Sequence, residues 1–216
     1  MNVLFVHSNW YPSGGDWTYI SSVIDIYNKH NINVIPFSMD DDKNYETPYN
    51  KYFIEKINYK ELNDNKSLIN ITRVLKKSIY NSDSKTLLIK LLENVKIDIV
   101  QLNSIHNNHT PSVIEVFKKF KIPIVWRILD YKLICPNRTF LSNGKLCESC
   151  INGKYFNCFV KKCKKNSYAA SFIASVESYF YSYYNLYKHI DCILFQSKFS
   201  KSLFDKHKFK YHKQLT

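Results

Sequence analysis

Two hydrophobic periods alternate along the chain. Asn2 to His7 is an apolar run that ends in a polar turn, Ser8-Asn-Trp-Tyr-Pro-Ser-Gly-Gly15, which predicts a strand entering a glycine loop. Beyond the loop, Ile20, Val23, Ile24 and Tyr27 recur at helical spacing, with Asp16 placed to cap the helix. Val34 to Phe37 is apolar again and completes a strand-helix-strand unit, whose two strands should pair in parallel. Ser67 to Tyr80 and Ser84 to Val95 carry helical periodicity with lysine on their outer faces, and are predicted to cover the sheet. Ile97 to Leu102 predicts the next strand. Thr110 and Pro111 predict a helix start, because a threonine cap and a proline at the first helical position agree. The chain returns through Pro123 into a strand at Val125 to Leu129. Tyr168 to His189 predicts a long aromatic-rich helix, followed by a strand at Cys192 to Phe195 and a final helix from Ser197. This alternation predicts an α/β protein with a Rossmann-like, doubly wound, mostly parallel sheet and a cysteine-rich loop, residues 135–163, inserted in it.

Size and charge narrow the class. A chain of 216 residues can bury one sizeable core, and no Pro/Gly/Ser-rich linker divides it, so a single domain is expected over residues 1–216. No run approaches the roughly 18 unbroken apolar residues of a membrane span. The start, Met-Asn-Val-Leu-Phe-Val-His, lacks the basic flank of a secretory leader, so a cytoplasmic protein is expected. The net charge of +13 raises nucleic acid or an anionic membrane as partners. Only Arg73, Arg127 and Arg138 among the 31 basic residues are arginines, whereas base and phosphate recognition favours arginine's planar fork. Nucleic acid is therefore disfavoured. The wealth of Lys, Asn, Ile and Tyr fits compositional drift, with peripheral attraction to the inner face of an anionic membrane as the alternative.

Candidate chemistry clusters in three places. Six cysteines without a leader argue against a secreted disulfide framework and leave metal or free thiols. The spacing Cys147-Glu-Ser-Cys150, then Cys158 and Cys163, predicts a closed four-thiolate structural zinc site, with Cys135 as a spare ligand. Buried thiols, or an iron-sulfur or redox pair, are the alternatives, and Cys192 reads as core. Gly14 and Gly15 sit between the first strand and the first helix, where absent side chains allow either a tight turn or close approach of a ligand to the helix N-terminus. There is no G-x-G-x-x-G and no G-K-[ST], so neither a dinucleotide fingerprint nor a P-loop is present. Asp40, Asp41 and Asp42 read as a solvated loop. The aromatic helix carries Phe172, Ile173, Val176, Phe180, Tyr183, Tyr184 and Tyr187, and follows Lys161, Lys162, Lys164 and Lys165. Core packing is the first expectation for that stripe; an interfacial membrane contact or a partner surface are the others.

Several segments taken together resemble the N-terminal, acceptor-side domain of family 4 glycosyltransferases, enzymes of the two-domain GT-B fold. They are Val125-Trp-Arg-Ile-Leu-Asp-Tyr-Lys-Leu-Ile-Cys-Pro-Asn137, Asn103-Ser-Ile-His106-Asn-Asn-His109-Thr-Pro, the Gly14-Gly15 loop, and Asp191-Cys-Ile-Leu-Phe-Gln-Ser197-Lys-Phe. The likeness runs from Asn2 to about His207. It implies that Gly14, Gly15 and Asp16 face the donor phosphates and the acceptor, that His106 and Asn107 contact the acceptor, and that Arg127, Asp130 and Tyr131 supply polar groups at a strand end. The family's catalytic-cleft histidine is replaced here by Leu129, which can neither donate a hydrogen bond nor carry a proton. Similar cysteines in the relatives imply a structural role for the loop. The donor-binding C-terminal domain of the family does not occur within these 216 residues. The implied function is retaining transfer of a sugar from a nucleotide-diphosphate sugar to a saccharide or lipid-linked acceptor, once that second domain or subunit is supplied, with no catalytic metal. The contrasting expectation is a non-catalytic glycan-, membrane- or protein-binding module built on the same fold.

Overall fold

The computed structural model describes residues 1–56, 76–106 and 108–215. It divides into two compact units, Met1–Arg127 with His189–Asp191, and Ile128–Lys188 with Cys192–Thr216. The first unit contains β1 (Asn2–Val6), α1 (Gly15–Lys29), β2 (Asn33–Phe37), α2 (Ser82–Asn94), β3 (Ile99–Leu102), α3 (Val113–Lys119) and β4 (Ile124–Arg127). Its strands are parallel and ordered β2-β1-β3-β4, with Val6 opposite both Phe37 and Leu102, and Leu102 opposite Trp126. The α/β class and the parallel sheet expected from the hydrophobic pattern are both present. The helix predicted over Ser67 to Tyr80 falls largely outside the described residues.

Pleating explains why β1 tolerates almost no polar residue. Val3 and Phe5 face α1 and pack with Trp10, Trp17, Ile20 and Phe53. Leu4 and Val6 alternate to the opposite face and are also buried, as are Leu88 and Leu91 of α2 and Phe117 of α3. A sheet covered on both sides needs such continuous apolar runs. Each fully buried leucine, isoleucine or phenylalanine contributes about 1.5–3 kcal/mol by leaving water.

Two helix starts differ from expectation. α1 begins at Gly15 after Gly14, whose φ of 126° suits glycine, and no side chain caps it; Asp16 lies within the first turn instead. Thr110 does not cap α3. It sits at φ 58°, and its hydroxyl accepts from Asn81 N–H at 3.1 Å. Asn81 in turn caps α2 by accepting from Ser84 N–H at 3.1 Å, and its amide donates to Asn108 O. The threonine is thus spent on tying the β3-α3 loop to α2, a tertiary use that competes with a local cap.

The second unit contains the hairpin β5 (Leu141–Ser142) and β6 (Lys145–Leu146), α4 (Phe156–Val160), α5 (Tyr168–Tyr184), β7 (Cys192–Leu194), α6 (Lys198–Lys206) and β8 (Lys213–Leu215), which pairs in parallel with β7. Ser167 and Ser197 cap α5 and α6 by accepting from Ala170 N–H and Ser200 N–H. α5 is shorter than its aromatic pattern suggested, because Asn185 turns left-handed at φ 49° and stops it. β8 had no strong sequence signal.

The aromatic stripe of α5 is the main correction. Phe172, Val176, Tyr183 and Tyr184 are exposed, Tyr183 to 85 %. The buried face is instead Ser171, Ala174, Ser175, Glu177, Ser178 and Tyr181. Small residues let the neighbouring chain approach closely: Ser175 Oγ donates to Tyr155 O at 2.8 Å, and Lys164 N–H donates to Ser171 Oγ at 3.0 Å. Glu177 is buried because Lys132 meets it at 2.7 Å. Serine and an ion pair face inward here, and periodicity read from apolar residues alone points the helix the wrong way.

Candidate functional site

In the strand order β2-β1-β3-β4 the chain reverses direction between β1 and β3, and ligands of open parallel sheets bind beyond the carboxyl ends of the strands at such a point. The residues found there are His7 after β1, Asn103 after β3 and Arg127 at the end of β4, with Gly14 and Gly15 opening α1. Three buried polar atoms in this set lack a hydrogen-bond partner among the described residues: His7 Nε2, Asn103 Nδ2 and Arg127 Nη1. Most buried polar groups in folded proteins are satisfied, so three at one end of one sheet call for an explanation.

The hydrogen bonds these residues do make fix the roles of the atoms left over. Ser104 N–H donates to His7 Nδ1 at 3.4 Å, so Nδ1 is an acceptor and Nε2 carries the hydrogen. Burial, and then the charge of Arg127, lowers the His7 pKa to about 4, so the ring is neutral at physiological pH. Asn103 Oδ1 accepts from Gln101 Nε2 at 3.3 Å, and Gln101 Oε1 accepts from Tyr27 OH at 3.3 Å, which leaves the Asn103 amide as the free donor. The Arg127 guanidinium stacks with Cζ 3.3 Å from the Tyr19 ring centroid. Burial lowers its pKa, against the pull of Tyr19 and Asp16. Three donors and one positive charge remain, and they suit a ligand rich in oxygen acceptors.

The glycine loop adds room. A side chain at Gly14 or Gly15 would meet nothing within 4 Å, so neither glycine is required by close packing of the protein on itself. The uncapped N-terminus of α1 leaves backbone N–H groups open there.

Other residues singled out by sequence have different surroundings. His106 is buried, with its ring 5.2 Å from that of Trp126. Asn107 lies outside the described residues. His109 is fully buried; its Nε2 bonds His7 O at 3.2 Å and its Nδ1 bonds Ser84 Oγ at 3.3 Å, which makes it a tie beneath the site. Burial holds its pKa at about 3.

Leu129, Asp130 and Tyr131 belong to the second unit. Leu129 O accepts from Gln196 Nε2 at 3.4 Å. Asp130 Oδ1 accepts from Lys132 N–H at 2.8 Å, and its Oδ2 pairs with Arg138 at 3.5 Å, so its carboxylate is engaged in shaping the turn. Tyr131 packs edge-on against Phe140 at 5.0 Å.

The closed zinc site expected from the cysteine spacing is not supported by the structure. Among the described residues, no group of three or more His, Cys, Asp or Glu is placed to hold a metal ion. Cys135, Cys147, Cys150, Cys158 and Cys163 are free thiols. Cys150 and Cys158 instead form a small buried cluster with Ala174, against which Tyr155 and Cys163 pack. Burial, and then the neighbouring thiols, pushes the Cys150 and Cys158 pKa values up to about 12. Cys192 is half-buried in β7 rather than core. Cys147 behaves differently: against partial burial, hydrogen bonds from Ser149 and the Lys161 ammonium at 3.7 Å pull its pKa down. Iodoacetamide at pH 7.5 should therefore modify Cys147 well before Cys150 or Cys158, as read by peptide mass spectrometry. Equal labelling of the three would contradict this assignment.

His7 and Asn103 were not marked by sequence as site residues. Their signal was positional, since each is the first polar residue past the end of an inner strand.

The first unit is thus an α/β fold with a parallel sheet and, among the described residues, three unpartnered donors beyond the carboxyl ends of its strands. No protein-family model matches the chain, and no curated protein matches its sequence. Among solved structures it is similar to a ugt transferase from Siraitia grosvenorii in complex with UDP, at 9 % identity and a TM-score of 0.46. That match covers 96 % of this chain and 44 % of the other, so the chain spans less than half the length of that protein.

Proposed function

We propose that this chain is the acceptor-side half of a retaining, family 4-type glycosyltransferase, transferring sugar from a nucleotide-diphosphate sugar to a saccharide or lipid-linked acceptor when joined to a donor-binding domain. The observation that carries the reading is the set of three unpartnered donors at the switch point, His7 Nε2, Asn103 Nδ2 and Arg127 Nη1. In such a transfer the acceptor oxygen bonds the anomeric carbon, the bond from that carbon to the diphosphate breaks, and the nucleotide diphosphate leaves with the electron pair while the acceptor proton passes to a phosphate oxygen. Arg127 would offset the charge that grows on the leaving group, and the two neutral donors would orient hydroxyls or phosphate oxygens. The motifs shared with family 4 transferases supply the choice of substrate class.

Transfer assays test the reading. The chain, combined with a family 4 donor-binding domain, is given a panel of UDP- and GDP-sugars and a lipid extract or oligosaccharide pool as acceptor. Sugar transfer by the pair, absent from either half alone, is the expected result. The position of Leu129 favours the contrasting reading, a non-catalytic glycan-binding module, and glycan capture without transfer for any donor would establish that one instead.

The exposed face of α5 fits a lipid-linked acceptor. Tyr168, Phe172, Val176, Tyr179 and Tyr183 are exposed at helical spacing, beside exposed Phe156, Phe159 and Val160 of α4. Lys161 and Lys165 are exposed next to them, and Lys162 stacks 4.3 Å from the Tyr168 ring centroid. Among the described residues, no helix is long and apolar enough to cross a membrane. Aromatic side chains flanked by lysines suit the interface of an anionic bilayer, and the same lysines would repel a second copy of this face. The chain is expected to sediment with vesicles containing phosphatidylglycerol but not with pure phosphatidylcholine. Phe172→Ser with Tyr183→Ser should weaken that association about 10-fold. Equal binding to both vesicle types would remove the membrane from the proposal.

A further inference from the structure

The second unit contains a cavity of about 300 Å³ between the Lys132–Ile134 turn, the C-terminal half of α5 and the segment 207–210. Two atoms on its lining residues, Ser178 Oγ and His207 Nε2, are buried and have no hydrogen-bond partner among the described residues. Both residues are only 9 % exposed. A hydroxyl and a ring nitrogen shut away from water without partners are costly to keep, and a ligand that supplies those partners accounts for them. Burial lowers the His207 pKa, so the neutral ring offers one donor and one acceptor.

Charge gives the second half of the argument. Lys188, Lys208 and Lys210 also line the cavity, and among the described residues no Asp or Glu does. None of the three lysines has a carboxylate within ion-pair distance among the described residues. Lys132, the fourth lining lysine, is already held by Glu177. The cavity therefore combines buried hydroxyl-binding atoms with uncompensated positive charge, and Tyr155 adds an aromatic wall.

We propose that this cavity binds a small hydroxylated anion of the sugar-phosphate class, its phosphate held by Lys188, Lys208 and Lys210 and its hydroxyls meeting Ser178 Oγ and His207 Nε2. The site uses none of the residues at the switch point of the first unit, and it stands whether or not the chain takes part in sugar transfer. Its occupant is a substrate fragment or a regulator, and either carries the same chemistry.

Calorimetric titration of the full chain with glucose 6-phosphate, glucose and inorganic phosphate tests the proposal. Glucose 6-phosphate is expected to bind saturably and at least ~10-fold tighter than either glucose or phosphate. Lys208→Glu with Lys210→Glu, both at the surface, should weaken it by ~10-fold or more, and Ser178→Ala should weaken it by a smaller factor. Arg127→Ala should leave it unchanged, which separates this site from the one at the switch point. No saturable binding of glucose 6-phosphate, equal affinity for phosphate alone, or full binding by the double lysine variant would overturn it. Circular dichroism of each variant ensures that only folded protein is compared; the lysine pair keeps the test decisive if Ser178→Ala does not fold.

Discussion

Glu177→Leu is expected to destabilise the protein by about 3–5 kcal/mol, one of the largest losses any single substitution here should cause. Lys132 Nζ donates to Glu177 Oε2 at 2.7 Å and to Pro136 O at 3.2 Å. The two side chains are only 1 % and 8 % exposed. Removing the carboxylate leaves a buried ammonium with one carbonyl, and the desolvation cost is no longer offset by an opposite charge. The pair also sets the orientation of α5, since Glu177 is the charged member of its inward face. The double variant Lys132→Met with Glu177→Leu should recover most of the loss, because replacing both charges by apolar groups of similar size is often close to neutral. Urea unfolding monitored by tryptophan fluorescence measures both. A single variant within about 1 kcal/mol of wild type would mean that water reaches the pair and screens it.

Glu177 also shows where sequence reasoning stops. Apolar periodicity found β1, α1 and β2 to within a residue or two, because in a sheet covered on both faces burial and hydrophobicity coincide. In α5 they part company. Ser171, Ser175 and Ser178 are inside and Phe172, Tyr183 and Tyr184 outside, since the buried face is chosen by close approach and by a charge partner more than forty positions away in the chain. No local pattern encodes that partner. The cysteine spacing is open in a similar way: C-x-x-C followed by two more cysteines is compatible with a metal and also with thiols that pack as small apolar groups, as Cys150 and Cys158 do with Ala174.

The site was half legible. Gly14 and Gly15 lie in the loop between strand and helix that the pattern predicts, whereas β4 ends at Arg127, two residues short of the predicted end at Leu129, which is what brings Arg127 to the strand end. In the sequence His7 is only the end of a strand and Asn103 only the start of a loop. Their unpartnered donors appear only when β1 and β3 become neighbours and Ser104 occupies the other nitrogen of the histidine.

The strongest functional prediction concerns Arg127. In the proposed two-domain transferase, Arg127→Ala is expected to lower kcat/KM by about 10²-fold, the scale of removing a charged donor from a developing oxyanion. Arg127→Lys should restore only part of this, because an ammonium neither stacks on Tyr19 as a planar guanidinium does nor presents a second donor in a fixed direction. Stability should move little in either variant. Arg127 Nη1 has no partner among the described residues, so its loss removes a cost as well as the ring contact with Tyr19. That contrast separates a ligand-binding residue from a structural one, for which activity and stability fall together. The pH profile provides an independent reading. A histidine with its folded pKa lowered to about 4 stays neutral as the pH falls through the ordinary histidine range, so the His7 Nε2 donor is unchanged from pH 8 to pH 6. The acidic limb of kcat/KM should accordingly show no step near pH 6.5 that His7→Gln removes. Such a step would show that His7 titrates as an exposed histidine, and the buried donor set inferred at the switch point would be lost with it.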